Sequence, residues 1–142
     1  PPRGYSYILA CMILAIRTDK PEAELYLLKD DGVIIDHSVW SAHRELSDTL
    51  LSNIENILSK NSQELTDISQ VLVYKGPGSF TGLRIGITVA NTLGYVLAVP
   101  VVGRQGEDWL MVPQGDSLPQ KELSMLVIPN YGAEANVTAP RK

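Results

Sequence analysis

Nine consecutive residues, Gly76-Pro77-Gly78-Ser79-Phe80-Thr81-Gly82-Leu83-Arg84, have types and spacing that could do chemistry. They join a short apolar run, Val71-Leu72-Val73-Tyr74, to an apolar helical stretch from Ile85 to Ala98. Strand, glycine-rich turn and helix in that order aim free backbone N–H groups at an anion. The same order also lets a chain turn sharply, so that a helix lies close on a sheet. The common phosphate patterns do not fit. A Walker A loop requires G-x4-G-K-[ST], whereas five residues separate Gly76 from Gly82 and Leu83 follows in place of lysine. The dinucleotide fingerprint would need glycine at Thr81, and Pro77 removes one N–H an anion would use. Ser79 and Thr81 resemble nucleophiles on an elbow, yet both are natural N-caps for the helix beginning there. Arg84 falls in the first helical turn, where a cation opposes the helix dipole. It is expected to tie the loop to a carboxylate or carbonyl. A structural turn leads, and a phosphate cradle in a small ATP-dependent enzyme stays open beside it.

Other chemistry-bearing residues are sparse. A two-cation nuclease needs converging carboxylates, but the first strand ends in Arg17 and the central strand in Tyr74-Lys75. Arg17 would repel Mg²⁺, so ATP hydrolysis is not expected. His37 and His43 form neither H-E-x-x-H nor an i, i+4 pair on a helix, and Cys11 has no nearby base. No catalytic, cofactor-binding or metal residue is assigned. The single cysteine rules out an intrachain disulfide framework and fits a reducing compartment. A net charge of −4 argues against sequence-independent nucleic-acid binding. Trp40, Trp109, Tyr74 and Tyr131 read as core or rim residues and form no basic, aromatic-interleaved face.

The elements that must position the loop follow from periodicity. Residues 12–17, 23–29 and 33–41 read as strands, with Asp30-Asp31-Gly32 as a hairpin turn. Leu46, Leu50, Leu51, Ile54, Ile57 and Leu58 recur at helical spacing. A polar loop leads to strand 70–75, then the glycine turn, the second helix and strand 100–103. Met125-Leu126-Val127-Ile128 reads as one further strand. Antiparallel meander, helix, strand, helix, strand is the order of an α/β ribonuclease-H-like or actin-like (ASKHA) half-domain with a mixed five-stranded sheet. The apolar run before Arg17 has no small-x-small cleavage site, and nine residues are too few to span a bilayer. No membrane partner is expected.

In the second helix, Gly82, Gly86, Ala90, Gly94 and Ala98 form a small-residue stripe at steps of four. Each interior glycine costs about 1 kcal/mol relative to alanine, which close approach by another element must offset. That element is either the chain's own sheet or a partner, and the pattern alone does not separate them.

The string GPGSFTGLRIG resembles the signature of the TsaB family, the YeaZ-like, M22-like proteins of tRNA threonylcarbamoyladenosine biosynthesis. Met12-Ile13-Leu14-Ala15-Ile16 resembles the family's opening strand, and the passage from Trp40 to Leu58 is similar as well. The resemblance covers about residues 12 to 110. It implies a cytoplasmic, non-catalytic scaffold without a cofactor that dimerises with TsaD, with the ATPase TsaE as a further partner. TsaD would transfer threonylcarbamoyl to the adenosine beside the anticodon. Strong direct tRNA binding by this chain is not expected, and a homodimer is the alternative assembly. The resemblance tips the stripe of Gly82, Gly86, Ala90, Gly94 and Ala98 toward a partner interface. Family relatives keep Asp-Thr-Ser where this chain has Arg17-Thr18-Asp19. Residues 12–112 are expected to form the N-terminal lobe and 113–142 a short extension in place of a second lobe. Residues 1–11 read as vector-derived or as an N-terminal extension.

Overall fold

The computed structural model describes residues 12–42, 45–78, 80–110 and 127–128. A run of five apolar residues makes β1 (Met12–Arg17) the centre of the sheet, because only a strand buried on both faces can be apolar at every position. Leu14, Ala15 and Ile16 are fully buried. On one side β1 pairs antiparallel with β2 (Glu22–Lys29), which pairs antiparallel with β3 (Ile34–Ser41). On the other side it pairs parallel with β4 (Ile68–Tyr74), which pairs parallel with β5 (Val101–Arg104). The order β3-β2-β1-β4-β5 is that of the expected ribonuclease-H-like/actin-like half-domain.

Helix α1 (Leu46–Lys60) buries Leu46, Leu50, Ile54, Ile57 and Leu58 over β2 and β3. Leu51 departs from its expected place in that stripe and is exposed. Helix α2 (Phe80–Leu97) lies over β4, β1 and β5 and touches α1 along one flank. Where a polar loop was expected, Leu65–Asp67 forms a 3-10 turn closed by reciprocal Glu64 and Asp67 capping bonds. The Trp40 indole N–H donates to Thr49 Oγ1 at 2.9 Å, which fixes Trp40 on the helix side of the sheet. Alternation then puts Ala23, Leu25 and Leu27 on that side and Tyr26 with His37 on the other. There Trp109 meets Tyr26 and Tyr74 edge-on, with centroids 5.7 and 6.0 Å away.

The outer strand β3 is irregular. Leu27 pairs with Asp36 and Leu28 with Ile34, so Ile35 is an extra residue. The Asp36 carboxylate accepts the His37 backbone N–H at 2.8 Å and the Asn61 amide at 2.9 Å, and lies 3.4 Å from Lys60 Nζ. Those donors, Asn61 first, pull its pKa below the ordinary value. The further strand expected at Met125–Ile128 is not seen where it can be checked, since Val127 and Ile128 are irregular and Met125 and Leu126 lie outside the described residues. The boundary expected between 112 and 113 also lies outside them.

Candidate functional site

In a mixed α/β sheet the natural place for a ligand is the crevice at the carboxyl ends of the parallel strands. Here β1 and β4 run side by side to that edge, with Ile16 opposite Val73, and deliver Arg17-Thr18-Asp19 next to the glycine loop. Arg17 folds back on Asp19 in a two-point contact, Nε to Oδ1 at 2.7 Å and one terminal nitrogen to Oδ2 at 3.2 Å. The guanidinium also lies 3.9 Å from the centroid of the Tyr74 ring. The Asp19 hydrogen bond, ahead of every other influence, holds the Arg17 pKa above its ordinary value. Tyr74 in turn donates its hydroxyl to the Pro77 carbonyl at 2.8 Å, tying the strand end to the loop.

The loop closes on these residues. Gly76 is buried with a φ of 122°, a conformation open to glycine and strained for any other residue. A Cβ at Gly78 would stand 2.5 Å from Asp19 Cβ and 3.0 Å from its Oδ2. The Thr18 hydroxyl donates to the Gly82 carbonyl at 2.7 Å, and a Cβ at Gly86 would collide with Thr18 Oγ1. Asp19 is packed under the glycine loop and neutralised by the arginine two residues before it.

The expected helix stripe divides. Gly86 faces Thr18, Gly94 faces the Val101 side chain and Ala90 is fully buried, so these three pack within the chain and present nothing to a partner. Gly82 is half-buried. Ala98 lies beyond the helix at a φ of 58°, where the Val99 N–H returns to the Gly94 carbonyl at 3.0 Å. Leu83 is core. Thr81 lies inside the first turn of α2 and is exposed, so it does not cap the helix. Ser79 lies outside the described residues, as do His43 and Cys11. Arg84 corrects a second expectation, because it makes no hydrogen bond or ion pair among the described residues.

What sequence reasoning missed is the open surface beside the stripe. Ser47, Thr81, Arg84, Ile85, Thr88 and Val89 line a groove of about 330 Å³ between α1 and α2. A recess of about 210 Å³ continues it through Thr81 and Ile85 to Thr18, Lys20, Pro21, Ala42 and Leu46. Ile85, Val89 and Val96 share one side of α2 at helical spacing, and Val96 is 67% exposed. That periodicity was available in the sequence. The side of α2 turned outward was not. Among the described residues no three His, Cys, Asp or Glu side chains are grouped to hold a metal ion. No helix there is long and apolar enough to cross a membrane.

A family model described as TsaD, tRNA N6-adenosine threonylcarbamoyltransferase, matches residues 40–108. The chain is 38% identical over 91 residues to the tRNA threonylcarbamoyladenosine biosynthesis protein TsaB of Escherichia coli, covering 64% of this chain and 38% of that protein. It is 35% identical over 89 residues to the Bacillus subtilis protein of the same name, covering 63% and 38%. Among solved structures, YeaZ from Pseudomonas aeruginosa superposes with a TM-score of 0.61 at 26% identity, covering 67% of this chain and 44% of that one. The chain thus spans well under half the length of these relatives.

Proposed function

The chain belongs to the TsaB family over the matched residues, and on that premise we propose that it is a non-catalytic docking subunit in tRNA threonylcarbamoyladenosine biosynthesis. Its partner is a TsaD homologue, with a TsaE-type ATPase as a further member of the assembly. The observation that carries this reading is the Arg17–Asp19 pair sealed beneath the glycine loop. A metal-dependent phosphotransferase or nuclease needs carboxylates free to hold a cation at this edge. Here the carboxylate at the end of β1 is held by a cation of the chain's own and covered by Gly78.

The surface left for a partner is the outward side of the helix pair. Ile85, Val89, Val96 and Leu51 supply apolar area, and Arg84 with Ser47, Thr81 and Thr88 supplies a polar border. Association of this kind rests on an apolar centre within a polar rim. Gly82 and Ala98, the stripe positions still accessible, lie at the two ends of that surface. With a net charge of −4, the chain leaves tRNA binding to its partner.

Co-expression with the TsaD homologue of the same genome tests the proposal. Co-elution of the two chains, together with no ATP turnover by this chain alone, is the expected outcome. ATP turnover that disappears in Ser79→Ala or Arg84→Ala protein, without association, would instead make the loop a phosphate cradle. Self-association in place of the heteromeric complex would identify a homodimer.

A further inference from the structure

Asn91, half-buried on the flank of α2 that faces β5, spends its carboxamide on a single residue 36 positions later. The Val127 N–H donates to Asn91 Oδ1 at 3.1 Å, and Asn91 Nδ2 donates to the Val127 carbonyl at 3.1 Å. Two opposed bonds to the N–H and C=O of one residue are what a neighbouring strand gives in a hydrogen-bonded antiparallel pair. A helix cannot offer them from its own backbone, whose groups bond within the helix. The asparagine side chain supplies them instead.

The side chain of Val127 is accommodated as specifically as its backbone. A Cβ at Gly103 would stand 2.7 Å from Val127 Cγ1 and 2.8 Å from Lys75 Cδ. The isopropyl group lies over the bare Cα of Gly103, beside the aliphatic stem of Lys75. Ile128, the next residue, is 70% exposed. The contact therefore reads one backbone unit and one branched aliphatic side chain.

We propose that Asn91, Gly103 and Lys75 form a seat for one branched aliphatic residue, and that its occupant is Val127 of the same molecule. The seat fastens Val127 to the β5-side flank of α2. The groove on the α1 side stays open. This holds whether or not the chain docks on a TsaD homologue, because every contact is internal.

Amide hydrogen exchange of the full chain, read residue by residue, tests the seat. Asn91→Ala is expected to speed exchange at Val127 by about tenfold to a hundredfold, since both bonds are lost. Global stability should hold, because alanine is the better helix former. Asn91→Asp keeps the acceptor and loses the donor, and should give an intermediate rate. Gly103→Ala should unseat the valine, and adding Val127→Ala should restore protection at position 127 by removing the colliding methyl. Unchanged exchange at Val127 in Asn91→Ala would overturn the proposal. Protection that grows with protein concentration would place the occupant in a second copy, which overturns the assignment to the same molecule.

Discussion

The two sides of α2 were built from similarly apolar residues and are used in opposite ways. On the inner side Gly86, Ala90 and Gly94 are covered by Thr18, by the core and by Val101, and no space remains. On the outer side Ile85, Val89, Thr88 and Arg84 line a groove that nothing in the described residues fills. Small residues mark where the chain meets itself, and medium-sized apolar residues mark where it is left open. The lesson concerns glycine spacing in helices generally. Steps of four report close approach, and the identity of the approaching element comes from whatever lies under them, here the polar end of β1.

The contrast breaks most visibly at Gly86. Gly86→Leu inserts a branched side chain where a single carbon already collides with Thr18, and should destabilise the chain by about 3 kcal/mol. Thermal unfolding measures it; a loss under about 1 kcal/mol would mean that the inner side has slack. Next in size, Arg17→Met leaves the largely buried Asp19 carboxylate unpaired beneath Gly78 and should cost about 1–3 kcal/mol. Restoring a donor with Arg17→Lys should recover part of that. Full stability in Arg17→Met would show the pair to be incidental.

Smaller effects sharpen the other half of the comparison. Ala98→Gly relieves a left-handed alanine at the end of α2 and should raise stability by about 0.5–1 kcal/mol. Val96→Arg, on the open side, should leave stability within about 0.5 kcal/mol. In the same protein, association with a TsaD homologue should weaken by on the order of tenfold or more, as for any charge buried without a partner. Equal binding by Val96→Arg and the parent protein would remove this face from the interface.

Alkali provides a separate probe of the sheet's far side. Burial first, then the bond its hydroxyl donates to Glu24, pushes the Tyr26 pKa up to about 12. A raised phenol pKa means that the folded state holds its proton longer than the unfolded chain does. Its stabilising contribution is complete below pH 10 and is lost as pH rises toward 12. Tyr26→Phe should flatten stability over that interval, as denaturant titrations at successive pH values would reveal.

Much of the frame was legible because it depends on local pattern. The unbroken apolar run Met12–Ile16 specifies a central strand, and Leu46, Leu50, Ile54 and Ile57 specify the buried face of α1. The loop was legible as the junction between β4 and α2, from the apolar runs on either side of its glycines. Three features were not legible, each for the same reason. The pairing of Arg17 with Asp19 depends on how β1 ends against Gly78. The fit of Thr18 to Gly86 joins residues far apart in the chain, and so does the bond between Asn91 and Val127. Periodicity reveals that a face is buried, whereas the identity of its neighbour is set by the topology of the sheet. Leu51 fails in the opposite direction, matching the helical pattern while lying on the exposed side of α1.

The irregular outer strand carries a consequence for how the molecule behaves in concentrated solution. A sheet edge that is unpaired among the described residues, as β3 is, is a template on which further chains can add, and the extra residue at Ile35 spoils its register. Asp36 does more, because its carboxylate occupies the His37 N–H that an incoming strand would need. That protection is ionic. It holds above the ordinary carboxylate range and lapses as acid protonates Asp36, whose lowered pKa delays the change to more acidic solution. Below that point the neutral carboxyl is a weaker acceptor, and the edge that bears the exposed Val33, Ile34, Ile35 and Val39 is less guarded against an added strand. At neutral pH one aspartate thus guards the β3 side of the sheet.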